Sequence, residues 1–268
     1  MPNYKLLSDK ITREIKLKTK PVAVKIIKHG DTGIQGRMLK PARDLGSKLT
    51  LCQMIGLSRY QGLSIMAELE DMACPGTMLI FGMIKPPGFI KEGALSHGLY
   101  TETREAAVRL DLSMPILREG AKGIVTASLD HASFDPDVIV FYGTPSQLLK
   151  LVAAYVYKHG EPVKSESYAK AGSDLAILSS YLDGKPRLFL PGLGDRIVGR
   201  VEEYEMGFTL PASLLEGVAE AVEEQSRTGF IVYPPKPILV YPVDFASIPV
   251  IGKYYKEMID KVDELARK

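Results

Sequence analysis

The segment Asp137–Gly143, DVIVFYG, constrains this chain more than any other stretch. Five apolar residues stand in a row, Val138 to Tyr142, and three of them are β-branched. Such a run reads as a strand with no polar face, so it must be covered on both sides. The Gly143-Thr144-Pro145 turn leads into SQLLKLVAAYVYKHG, a helical run that Thr144 or Ser146 can cap. Strand, short turn and capped helix form one unit of an α/β protein.

The rest of the chain supplies the partners. Residues 3–18 read as an amphipathic helix, because Leu7, Ile11 and Ile15 are four apart and share a face. Val22–Ile27 reads as a second buried strand, with Lys25 its one charge. A helix is expected after Pro41 and through Tyr60, with Leu45, Leu49 and Cys52 on one side and Gly46 and Gly56 as points of close backbone approach. A short strand at 64–69, a turn at 72–76 and a strand at 77–83 follow, then a long loop at 85–101. Further elements are a helix from Thr103, strands at 123–128 and 187–190, a helix at 168–182, and short strands at 198–200 and in MGFTLP. A helix after Pro211, a Pro-rich strand region at 230–242 and a terminal helix at 250–266 complete the pattern. The expected fold is α/β or α+β. A mixed, largely parallel sheet holds 22–27, 137–142 and 187–190 and is covered by helices. One domain spans 1–268, with room for two lobes, and the terminal helix packs on its body.

Composition narrows the class. Hydrophobic residues make up 46% of 268 and charged residues 25%, which excludes wholesale disorder, collagen and a long coiled coil. Thirty-four basic and 32 acidic side chains leave a charge of +2, which speaks against a nucleic-acid partner. No run of 18 apolar residues occurs, and the first twenty residues lack the apolar core of a signal peptide. No membrane partner is expected, and the expected compartment is the cytoplasm. Two cysteines, Cys52 and Cys74, cannot build a disulfide framework.

Candidate sites lie on three segments. PGLGDRIVGR, 191–200, follows a strand; Gly192 and Gly194 can take positive φ and turn successive N–H groups toward an anion. Arg196 offers a planar fork for a carboxylate or phosphate, and Asp195 can orient that arginine or accept a ligand hydroxyl. The plain structural reading is a tight turn in which Asp195 or a glutamate of 202–205 answers Arg196. The segment is neither a dinucleotide fingerprint nor a Walker loop. Cys74, before Pro75-Gly76, is the candidate nucleophilic or redox thiol, against two inert buried cysteines. Two thiols fall short of a zinc site, and only a homodimer contributing two each could hold an iron–sulfur cluster. No metal site is therefore assigned, and the sequence names no cofactor. His97, in the long loop, is the candidate proton-transfer imidazole. Tyr142 ends the buried strand, at the edge where a ligand crevice usually opens, with Tyr100 and Phe89 as its apolar wall.

Several of these features fall in one order: PVAVK near the start, Cys52 in a helix, Cys74-Pro75-Gly76, Gly98-Leu99-Tyr100, the Asp137–Pro145 strand and turn, and Gly194-Asp195-Arg196. That order resembles the archaeal and bacterial family known as domain of unknown function 169, over about residues 5 to 225. Members resemble one another in a cysteine within the glycine-rich segment; here Leu193 stands at that place. The resemblance implies a soluble module and supplies no activity. Three readings stay open. One is a binding module for a small anionic metabolite, carboxylated or phosphorylated. Another is an enzyme using Cys74 or His97 on such a metabolite. The third is a structural or interaction component.

Overall fold

The computed structural model describes residues 2–31, 34, 36–85, 88–229, 231–235 and 249–266. Seven strands form one sheet: β1 (Val22–Lys28), β2 (Ile65–Glu68), β3 (Ala121–Ser128), β4 (Val138–Gly143), β5 (Lys164–Ser165), β6 (Arg187–Phe189) and β7 (Met206–Pro211), in the order β2-β3-β1-β4-β7-β6-β5. The expected sheet with 22–27, 137–142 and 187–190 is present, and it is mixed. Its balance differs from the expectation of a largely parallel sheet. Every pairing between the described strands is antiparallel except β5 with β6. An antiparallel strand covered on both faces is as uniformly apolar as a parallel one, so the composition of DVIVFYG shows burial and not direction.

Strand periodicity divides the core into two layers. Val22, Val24 and Ile26 of β1 and Val138, Val140 and Tyr142 of β4 face one side. Ala23 and Ile27 of β1 and Ile139 and Phe141 of β4 face the other. The second side is covered by α1 (Tyr4–Ile15), α6 (Pro145–His159) and α9 (Leu215–Thr228), through Ile11, Leu151 and Val218. The first side is covered by α3 (Leu51–Gln61), α4 (Pro75–Ile80) and α7 (Gly172–Asp183). Short α2 (Pro41–Leu45), α5 (Arg104–Ser113) and α8 (Leu193–Ile197) flank that layer, and α10 (Pro249–Ala266) is the last helix. No helix among the described residues is long and apolar enough to cross a membrane.

Three expected elements take another form. The single helix after Pro41 is two. Gly46, at φ 64°, ends α2 in the left-handed region, and Thr50 restarts the chain as the cap of α3. Leu45 is consequently exposed while Leu49 is buried. The strand at 77–83 is instead α4, because Pro75 occupies the first helical turn, and a continuous apolar run does not reveal its own period. The strand at 198–200 is a turn after α8. Most of the Pro-rich region 230–242 lies outside the described residues, and 231–235 carry no strand.

Gln147 shows how the helices of one layer are fixed in place. Its Oε1 accepts from Thr144 N at 2.9 Å, while Thr144 Oγ1 accepts from Gln147 N at 3.3 Å, closing a capping box. Its Nε2 donates to the carbonyls of Ile15 and Lys16 at 3.1 and 2.6 Å, tying the start of α6 to the end of α1. Gln147→Leu strands the buried Ile15 carbonyl, so a stability loss of about 1–3 kcal/mol is expected. Urea unfolding with an unchanged slope checks this; a shift under about 0.5 kcal/mol, typical of a neutral surface change, contradicts it.

Candidate functional site

A cavity of about 230 Å³ opens beside the first helical layer, where α3, α4, α7 and α8 converge near the end of α5. Local sequence explains the convergence. Leu49 and Met72 form an isolated parallel bridge, with Leu49 N donating to Asp71 O at 2.9 Å and Ala73 N to Leu49 O at 2.8 Å. The two chains run side by side from that bridge into α3 and α4. Cys52 thus falls in the first turn of α3, and Cys74 takes the residue just before α4. Both thiols line the cavity.

α8 closes another side. A Cβ on Gly56 would stand 2.8 Å from Gly199 O, so the turn after α8 rests on α3 only because residue 56 is glycine. Gly194 and Asp195 then reach the cavity wall. Asp195 is buried and holds this corner together. It accepts from Ser173 Oγ at 2.6 Å, Gly192 N at 2.9 Å and Ser173 N at 3.4 Å.

Lys170 supplies the cationic side chain on the cavity wall among the described residues. Its neighbours Ala169 and Ala171 both sit in the left-handed region, at φ 59° and 49°. Non-glycine residues adopt that conformation at a cost of about 1 kcal/mol or more each, and such strain gathers at functional positions. The ammonium donates to Asp111 Oδ1 at 2.5 Å and to Ser96 Oγ, and it lies 5.6 Å from the centre of the Tyr100 ring. Asp111 Oδ2 also accepts from Leu95 N at 3.2 Å.

Asp174 is the third carboxylate on the wall. It is buried and accepts from Thr77 Oγ1 at 2.5 Å. Burial, reinforced by the nearby Asp195 charge, pushes its pKa up to about 6. Burial, with Asp195 and Asp174 adding to it, also pushes the Cys52 thiol well up, which disfavours its thiolate. Its Sγ lies 3.9 Å from Ser173 Oγ. Leu79, Ile80, Leu95, Met114 and Ile116 make the remaining wall largely apolar.

The sequence candidates separate on this geometry. Cys74, Gly194, Asp195 and Tyr100 meet at the cavity. Arg196 does not. Its guanidinium donates to the carbonyls of Glu202 and Glu205 at 2.7 and 3.4 Å, so backbone answers it, rather than Asp195 or a glutamate side chain. Gly192, at φ −75°, is extended, and Gly194 lies inside α8, so the expected positive-φ anion nest is not formed. The Gly192 N–H that would have met an anion already meets the Asp195 carboxylate. His97 is exposed on a turn bridged to Thr101 and does not line the cavity. Tyr142 is buried behind the wall, edge-on to Phe189 at 5.8 Å, with the Arg59 guanidinium 4.5 Å from its ring centre. The Phe89 side chain lies outside the described residues. Leu193 is exposed and turned away from the cavity.

Lys170, Asp111, Asp174 and Thr77 were not singled out in the sequence. Lys170 and Asp111 are 59 positions apart, and each reads alone as a solvated charge. The one local signal is Ser173-Asp174 directly ahead of the apolar run Leu175–Leu178.

An α/β sheet with both faces covered and a small, mostly apolar cavity in one helical layer defines the class. The chain belongs to the domain of unknown function 169 family, described as uncharacterised ArCR, whose model matches residues 10–221. It is 28% identical over 214 residues to an uncharacterized protein of Methanocaldococcus jannaschii, covering 78% of this chain and 90% of that one. No solved structure matches it.

Asp174 gives a pH prediction. A carboxyl whose folded pKa is about 6, against an ordinary 3.8, binds its proton more tightly folded than unfolded. Its contribution is intact below about pH 4 and is lost as pH rises to about 6, by roughly 3 kcal/mol. Asp174→Asn removes the ionisation, so its stability relative to wild type should rise across that window. Urea unfolding at pH 4.5, 6 and 7.5 checks this; parallel curves for the two proteins contradict it.

Proposed function

We propose that the chain is a small-molecule-binding protein whose cavity takes a compact, largely apolar molecule ending in a carboxylate. The observation that carries this reading is Lys170, held between two strained alanines with its ammonium on the wall of an apolar cavity. Asp111 and Ser96 engage that ammonium and leave one of its three protons for a ligand acceptor. At about 230 Å³ the cavity is smaller than the ~300–1,000 Å³ of pockets for drug-sized ligands, which favours a small metabolite. Three carboxylates face one ammonium there, which favours a monocarboxylate over a phosphate dianion.

The Cys74 thiol on the same wall supports a second reading, in which the bound molecule also reacts there. Two free thiols and a near-neutral charge fit work in the reducing cytoplasm without nucleic acid. A homodimer would find an apolar patch in the exposed Leu190, Leu193 and Ile197.

Native mass spectrometry of the freshly purified chain, followed by extraction, tests the reading. The expected result is a retained organic acid, or one taken up from a panel of small carboxylic acids. The double variant Lys170→Met with Asp111→Leu removes the ion pair as a unit, sparing the fold an unpaired buried charge. It should stay folded and lose that acid. A bare wild-type mass together with no uptake from the panel overturns the proposal, as does undiminished uptake by the folded double variant.

A further inference from the structure

We propose that Cys52 and Cys74 are a redox pair whose intramolecular disulfide forms across the floor of the cavity. The pairing does not depend on which ligand the cavity holds. Backbone geometry carries it first. The Leu49–Met72 bridge sets two parallel segments side by side, and paired strands run ~4.8 Å apart. Cys52 lies three residues past the first bridge residue and Cys74 two past the second, so the segments have had little length over which to diverge. A disulfide requires Cα atoms within ~7 Å, a separation that neighbouring segments supply and distant ones do not. The second observation is independent of the backbone. Both thiols are free, and both residues line the same small cavity.

Their surroundings assign an order of events. Cys74 is half-buried ahead of α4 and meets reagents entering the cavity. Cys52 lies beside Ser173, near the Asp195 and Asp174 carboxylates, which disfavour its thiolate. With a low-molecular-weight disulfide as oxidant, the Cys74 thiolate attacks one of its sulfurs. That S–S bond breaks, and one small thiolate leaves. Cys52 then gives up its proton to the departing group as its sulfur attacks the Cys74 sulfur of the mixed disulfide and expels the second small thiol; this is the slow step, because the neighbouring carboxylates disfavour the Cys52 thiolate. The protons lost by the two cysteines end on the two released thiols. The protein is oxidised by two electrons, and the small disulfide is reduced by two.

Incubation of the full chain with oxidised glutathione, followed by intact mass and non-reducing peptide mapping, tests this. The expected product is a monomer lighter by two hydrogen atoms, with the Cys52 and Cys74 peptides joined. Cys52→Ser should stop at a glutathione adduct on Cys74. Cys74→Ser should react roughly tenfold more slowly or less, since only the disfavoured thiol remains. A control in guanidinium shows that the reagent is competent. Two free thiols in the folded chain when that control is oxidised overturns the proposal, as does a product joined only between chains. So does a Cys74→Ser variant that reacts as fast as Cys52→Ser. Ligand retention is not part of this readout, so failure of the proposed function and failure of the thiol pairing are told apart.

Discussion

A buried carboxylate, Asp195, holds the corner of the molecule on which the site depends. It accepts from the side chain and backbone of Ser173 and from the backbone of Gly192, so it joins the start of α7 to the start of α8. Among the described residues its donors are a hydroxyl and backbone amides, whose dipoles stabilise its charge. Cys52, Ser173 and Tyr142 are arranged around that carboxylate, and the Arg59–Glu205 ion pair lies behind them, shielded from solvent. Removing one partner of such a pair is strongly destabilising, because it leaves the other charge buried alone. The wall of the cavity is therefore fixed before any ligand arrives.

Much of the framework was legible in the sequence, because it follows from burial. The apolar runs at Val22–Ile27 and Val138–Tyr142, the spacing of Leu7, Ile11 and Ile15, and the Thr144 cap are local signals, and each forms the expected element. Strand direction was not legible, since an apolar run covered on both faces looks the same either way. α4 was misread because its apolar residues are continuous, and Pro75 carried the deciding information.

The site was legible only in part. Cys74, Gly194 and Asp195 stood out by residue type and do line the cavity. Arg196 stood out for the same reason and turns away to backbone carbonyls, because an arginine's charge says nothing of its direction. The expected anion nest failed for a physical reason: the loop carries its own anion, and Asp195 occupies the donors. Lys170 and Asp111 were invisible because their pairing exists only after the 167–172 segment folds against the end of α5. Under the proposed function, that arrangement also bears on the ligand class. Like charges about 4 Å apart repel by about 4 kcal/mol near a protein surface, so a doubly charged ligand among three carboxylates is disfavoured.

The central claim is an apolar cavity with one charged anchor, and a homologous series of carboxylic acids tests it most directly. Binding measured by calorimetry across increasing alkyl length should tighten by about 0.8 kcal/mol per methylene, roughly fourfold in Kd, and then fall sharply once the cavity is filled. Affinity that does not change with alkyl length, or that follows net charge alone, would contradict the account.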